Sequence, residues 1–377
     1  MKKFAKFLKK TSYFIIFYLI ADILFMKLLP TNIKNKIYDK KSHKIKSYYY
    51  HHDLRPNSFW TEKWGPHSYK IYTNNHGFKD KKIRKVQFKE NNILFIGDSF
   101  TEGVGVNYEN TFVGIIDKKI SLKNKNYEIL NAGLISYSPI VILSKLNHIL
   151  NIRKLPINKV FVILSNGDFH DDIFRYNNIN DDFVVSHDDF YNSKILVNLN
   201  NFIKSNTIFY QLFKKIFPLS NLISDFEKKQ IESKTQYSKE QILQILNSKP
   251  DHQHVLSNDA FLSWGQEGLK KSTLYMQKIY DLLDEKNIDL TLIVIEEAIF
   301  VLNELDSSFY ENHWKNFSEK NKIDFIFLKN YHRNYTDKFI AYKDLFFIGD
   351  NHFNEKGNKL IADEILRKSN FIKKTLN

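Results

Sequence analysis

The sequence predicts an α/β fold built on an open, mostly parallel sheet with helices on both faces. Three observations carry this expectation. Short apolar runs stand at 92–97, 127–131, 159–164, 288–295 and 324–328. Helix-like stretches such as 139–152 and 266–287 separate them. The runs are apolar along most of their length, as strands buried on both faces are, and this favours a doubly wound assembly. Ligands of such sheets sit at the carboxyl ends of the strands.

At the N-terminus, residues 1–10 (MKKFAKFLKK) carry five lysines, and an apolar stretch follows, interrupted by Asp22 and Lys27. As a helix, 12–29 would extend about 27 Å, just short of a typical hydrocarbon core. No small-residue cleavage site follows it, so residues 1–30 read as a retained transmembrane signal anchor. The lysines that precede it imply a cytoplasmic N-terminus and an extracytoplasmic (periplasmic or cell-surface) domain. An amphipathic helix packed on the domain or lying in the interface is the alternative. Residues 31–90 read as a polar linker and an irregular lead-in, with turn-formers among aromatics. The main domain is expected over 91–370, with an insertion at about 172–262 that breaks the strand–helix rhythm and reads as a lid or substrate wall.

Composition narrows the function. Hydrophobic residues make up 43% and charged residues 26%, enough for a full core. Phe (32) and Tyr (21) far outnumber Pro (7), which argues against disorder. The net charge of +14 raises the question of nucleic acid, but the lysines are scattered and no recognition motif accompanies them. No nucleic-acid partner is expected. With no cysteine, thiol catalysis, disulfides and thiolate-held zinc are excluded.

The residues that carry chemistry stand in two segments. In NNILFIGDSFTEGVGV (91–106) a strand ends at Gly97-Asp98-Ser99 and a helix or turn begins at once. A serine there meets the N–H groups and dipole of a helix start, which stabilise negative charge. The bland reading is that Asp98 and Ser99 cap a helix. The second glycine of G-x-S-x-G is missing, so the elbow of α/β-hydrolases does not fit. In LFFIGDNHFNEKGNKLIADEIL (345–366), Asp350 and His352 stand on a loop before an amphipathic helix. A serine hydroxyl needs a base to take its proton, and the base needs a carboxylate to fix its tautomer. Ser99, His352 and Asp350 make that set.

In these segments the sequence resembles the SGNH or GDSL-like hydrolase family, over residues 92–366. Gly97-Asp98-Ser99 with Thr101 and Gly103 looks like the family's first block, Asn131-Ala132-Gly133 like its second, and Asp350 to Gly357 like its last. The resemblance implies a flavodoxin-like three-layer α/β/α sandwich and esterase, lipase, deacetylase or O-acetyltransferase activity without metal or organic cofactor. It makes Ser99 the nucleophile, with Asp350 and His352 completing the triad. Backbone N–H groups of Ser99 and Gly133 would form the oxyanion hole. Two departures stand out. The third block usually reads G-x-N-D, but Ser165-Asn166-Gly167-Asp168 puts Gly167 at the Asn position and leaves Asn166 as the nearby amide. The acid stands two residues before the histidine rather than three.

Other candidates are weaker. His51, His52, Asp53, Arg55, Trp60, Trp64, Tyr69 and Asn74 of the lead-in read as a structural strap or a wall beside the site. His252 and His254 form an H-x-H without a third ligand at a recognisable spacing. His170, Asp171 and Asp172 are expected near the rim, while Asp168 and Asp171 suit a cap or turn. The expected function is ester hydrolysis or acyl transfer on an acylated glycan or lipid. The alternative is a catalytically weak binding or assembly protein for surface polysaccharide.

Overall fold

The computed structural model describes residues 2–28, 43–180, 183–186, 207, 237–329 and 331–376. Most of the expected insertion at 172–262 lies outside the described residues.

All five apolar runs form strands. β6 (Asn91–Gly97), β7 (Tyr127–Asn131), β8 (Lys159–Ser165), β11 (Asp289–Ile295) and β12 (Asp324–Leu328) pair in parallel in the order β12-β11-β8-β6-β7. Their side chains are almost all buried, as a sheet covered on both faces requires. Phe95 and Phe161 stack across β6 and β8 with centroids 4.6 Å apart. Helices Phe112–Lys123, Pro139–Asn147, Gln266–Glu285 and Glu355–Lys368 connect or follow the strands. The chain runs from β6 outward to β7, then returns to place β8 on the other side of β6. That reversal opens a crevice at the carboxyl end of β6, the place where such sheets take ligands.

The lead-in is more ordered than expected. β1 (Lys44–Ser47) and β2 (His51–Leu54) form a separate antiparallel pair. β3 (Phe59–Trp64), β4 (His67–Thr73) and β5 (Lys79–Asp80) extend the main sheet to eight strands, antiparallel beyond β7. Buried polar contacts tie this segment in. Lys79 Nζ donates to the carbonyls of Gly103 and Val106 at 2.8 Å each. Lys145 Nζ meets Asp53 at 3.0 Å, and Tyr137 OH donates to the His52 carbonyl at 2.7 Å. Residues 43–80 therefore belong to the folded domain rather than to a linker.

The N-terminal segment forms a helix, Lys2–Leu28. Among the described residues, however, no helix is long and apolar enough to cross a membrane. The expected spanning anchor is thus not supported. The helix leaves Phe14, Phe17, Leu24 and Phe25 exposed.

Candidate active site

Gly97 ends β6 where no side chain fits: a Cβ there would lie 2.4 Å from Thr101 Oγ1 and 2.5 Å from the Ile163 carbonyl. The chain turns directly into the short helix Ser99–Glu102. Asp98 is its N-cap, accepting the Phe100 N–H at 2.9 Å. The capping reading thus holds for Asp98 alone. Ser99 is buried, and its hydroxyl lies 2.7 Å from His352 Nε2.

The histidine arrives on a loop held by backbone bonds. Phe347 N–H donates to the His352 carbonyl at 3.0 Å, and Asp350 N–H donates to the Phe347 carbonyl at 3.0 Å. Gly349 makes this turn at φ +74°, a conformation that favours glycine. Beyond it Asn354 caps the helix Glu355–Lys368 through the N–H groups of Lys356 and Gly357. His352 Nδ1 lies 2.5 Å from Asp350 Oδ1, which also accepts the Asn351 and His352 N–H groups. Ser99, His352 and Asp350, expected to meet from opposite ends of the chain, are therefore in hydrogen-bonded series.

Electrostatics match that series. Burial alone would lower the His352 pKa, but the Asp350 charge and hydrogen bond outweigh it and raise it. Burial likewise favours a neutral Asp350, yet the His352 charge and its hydrogen bonds hold the carboxyl well below the usual range. Beneath them, Ser165 Oγ donates to Asp98 at 3.0 Å, with Asp168 at 3.4 Å. Burial pushes both of these carboxyls up, and the charge of Asp98 pushes Asp168 further.

Trp64, at the end of β3, is a participant that the sequence did not single out from its strap. Its indole Nε1 donates to Asp350 Oδ2 at 3.1 Å, and its ring meets the His352 ring edge-on with centroids 5.0 Å apart. On the other side Phe100 packs against His352 at 5.3 Å.

Ser99 opens on a cavity of about 290 Å³ whose apolar wall comprises Phe100, Ile135 and Pro250. Most of the remaining lining is polar or charged, including Arg175, Lys249, Asp251 and Glu297. His170 and Asp171 reach it as expected. Asp172 does not: it is fully buried, accepting the Ile140 N–H at 3.2 Å and the Ser272 hydroxyl. Asp168 closes a turn by accepting the Ser165 N–H at 2.9 Å.

Of the expected oxyanion donors, Ser99 lines the cavity. Gly133 N–H donates to Asn131 Oδ1 at 3.1 Å, and Gly133 is not in the cavity lining. Asn131 in turn donates to the Thr101 carbonyl, so its amide ties the end of β7 to the serine's helix. Asn166 is buried with both amide atoms unpartnered among the described residues, and it too is outside the lining. Ser136 does line the cavity, with φ +63°. No hydrogen bond from its N–H occurs among the described residues. A serine gave no sequence signal for that left-handed position. His252 and His254 do not form a ligand pair: His252 faces Glu297, and His254 packs among Phe169, Trp264 and Tyr310.

No family model matches the chain, and no curated protein does. Among solved structures it is similar to an esterase from Pseudoalteromonas sp. (13% identity, 76% of this chain and 100% of that one, TM-score 0.39). A catalytic mutant of an acetylxylan esterase from Geobacillus stearothermophilus is also similar (10%, 75% and 95%, TM-score 0.39). So is a member of the lipolytic protein G-D-S-L family from Veillonella parvula (13%, 73% and 96%, TM-score 0.34).

Proposed function

We propose that this chain is a serine-dependent ester hydrolase or O-acyltransferase of the SGNH type, acting through an acyl-enzyme on Ser99. The observation that carries this reading is the series Ser99 Oγ to His352 Nε2 at 2.7 Å and His352 Nδ1 to Asp350 at 2.5 Å. Both distances lie within reach for proton transfer and for orientation of the base. They weigh against the alternative of a catalytically weak assembly protein, which needs no such alignment.

In the reaction His352 takes the Ser99 proton as the hydroxyl oxygen attacks the acyl carbon. The resulting imidazolium is stabilised by Asp350, whose carboxylate stays ionised. The tetrahedral oxyanion is held by the Ser99 N–H at the helix start. Ser136 N–H is the preferred second donor over Gly133 and Asn166, because it belongs to the cavity lining and makes no hydrogen bond among the described residues. His352 then protonates the leaving alcohol. Water, or a second hydroxyl, attacks the acyl-enzyme with His352 again as base.

The small cavity, with polar and charged side chains beside its apolar wall, fits a short acyl group on a polyhydroxylic alcohol better than a long-chain lipid. An acylated glycan is therefore the proposed substrate. The exposed Phe14, Phe17, Leu24 and Phe25, together with the lysines of residues 1–10, support attachment to an anionic membrane surface. Flotation with anionic vesicles, with and without residues 1–28, tests the attachment.

The test of the chemistry is single-turnover release of p-nitrophenol from p-nitrophenyl acetate by the full chain. Ser99→Ala and His352→Ala variants run beside it, and the assay is repeated with an oligosaccharide acceptor. A burst abolished by both substitutions is expected, and acetyl on the sugar identifies a transferase. Release by the wild type no faster than by the variants, on this ester and on an acetylated oligosaccharide, would overturn the reading.

A further inference from the structure

Glu297 is a buried carboxylate outside the Ser99–His352–Asp350 series, and three separate parts of the site converge on it. It follows β11 at the sheet's carboxyl edge and begins the helix Ala298–Asn303. Its Oε1 accepts the Gly167 N–H at 2.9 Å, from the loop after β8. Its Oε2 accepts the side-chain amide of Asn351, the residue between Asp350 and His352. The same oxygen lies 3.3 Å from His252 Nε2, an ion-pair distance although the angle falls outside hydrogen-bond geometry. Glu297 and His252 are both 2% exposed or less.

Two N–H donors and an imidazole nitrogen face the Glu297 carboxylate. His252 Nδ1 lies 2.9 Å from the Leu246 carbonyl, which can only accept, so Nδ1 carries a proton. Burial would lower the His252 pKa, but the Glu297 carboxylate 3.3 Å from Nε2 outweighs it and raises it. Burial would push the Glu297 carboxyl up, but contact with His252, the Gly167 N–H and the Asn351 amide hold it at about 2. Asn351 is fixed at its other end as well, since its Oδ1 accepts the Ala298 N–H at 2.9 Å. Both polar atoms of that side chain are thus tied to residues 297 and 298. The Asn351 N–H also donates to Asp350 Oδ1 at 2.6 Å, so anchoring Asn351 anchors the acid of the triad.

We infer that Glu297 and His252 are a positioning pair that locks the Asp350–His352 loop and couples it to the cavity wall at Lys249–Asp251. The coupling arises because His252 directly follows those wall residues. A shift of that wall moves His252, and the carboxylate transmits it to Asn351. This inference rests on the esterase reading above. Neither residue is required to touch the reacting atoms.

The experiment uses the full chain with p-nitrophenyl acetate, and active sites are counted by covalent labelling of Ser99 with a fluorophosphonate. In Glu297→Gln the amide group presents a donor to Asn351 and His252. The expected result is a kcat per labelled site lower by about 10–100-fold with KM unchanged, as small misplacements of catalytic groups produce. Glu297→Asp keeps the charge and is expected to recover part of that loss. His252→Gln, more than 90 residues from the triad loop in sequence, is expected to lower kcat in the same sense, and it serves if Glu297→Gln does not fold. A purely structural role would lower the unfolding temperature while leaving kcat per labelled site at the wild-type value, and that result overturns the inference. So would a change in KM alone. Absence of Ser99 labelling and turnover in the wild type would instead defeat the esterase reading, and the two failures are thus told apart.

Discussion

Trp64 Nε1 donates to Asp350 Oδ2 at 3.1 Å, so the carboxylate that orients His352 is held on both oxygens. The second oxygen is served from β3, an antiparallel strand of the lead-in rather than of the parallel sheet. Hydrogen bonds to charged groups contribute about 1.5–3 kcal/mol each. Trp64→Phe keeps an aromatic edge against His352 and removes only the donor. It is expected to lower kcat/KM on p-nitrophenyl acetate by about tenfold, the low end of that range. Wild-type kinetics in this variant would reduce Trp64 to packing.

The raised pKa of His352 gives the reaction a direction in pH. The base must be neutral at Nε2, so the rate is expected to fall as pH drops through a midpoint above the ordinary 6.5. In Asp350→Asn the charge that favours imidazolium is gone and burial dominates, so the midpoint moves down as kcat falls. Stability runs the opposite way. The folded His352 pKa is raised, so its contribution is full below 6.5 and fades as pH rises through the folded value. Asp350 is depressed, so its contribution is full above 3.8 and is lost in stronger acid. A kcat/KM profile and urea midpoints at several pH values measure both.

The parallel strands were legible because each carries a short run that is apolar along most of its length, as strands covered on both faces do. β3 and β4 were not: their burial alternates, but Phe59 is on the exposed side and Glu62 on the covered one, so residue type does not follow a period of two. β5 joins β7, and so the parallel strands, through a single pair, Lys79 with Asn131, which no local pattern encodes. Ser99, Asp350 and His352 could be read because each stands in a short loop motif beside a strand or helix end. Trp64 meets Asp350 across 286 positions, and Glu297 gains its partners only where three loops converge. Such contacts are products of topology and leave no trace in spacing.

Ser136 occupies a backbone conformation that L residues avoid. The turn from the Leu134 carbonyl to the Tyr137 N–H, 3.1 Å, places it third with φ +63°. Glycine adopts that position freely, whereas a side chain costs about 1–2 kcal/mol. Ser136→Gly loses the hydroxyl contact with the exposed Arg175 and is expected to gain about 1 kcal/mol of stability. The N–H proposed to hold the oxyanion is unchanged, so kcat should stay near the wild-type value. A collapse of kcat in a stabilised protein would transfer the role from the N–H to the hydroxyl.

Gly167 stands where the family pattern places an asparagine, yet its backbone does not call for glycine. Its φ of −64° and ψ of −20° are open to any residue. A Cβ there would first meet Asp251 Oδ2 at 3.5 Å, then Glu297 and Ser165 at 3.8 Å, ordinary contact distances. The position therefore has both the conformation and the room for a side chain, and it lines the cavity whereas Asn166 does not. Removing a side-chain donor from an oxyanion hole costs about 10²–10³ in kcat. Gly167→Asn is accordingly expected to raise kcat on p-nitrophenyl acetate by about tenfold or more, a part of that factor. Asn166→Ala in the native background should leave kcat nearly unchanged. If Asn166→Ala instead costs the full factor and Gly167→Asn gains nothing, Asn166 already supplies the amide, and the orphaned buried side chain must turn toward the oxyanion during the reaction.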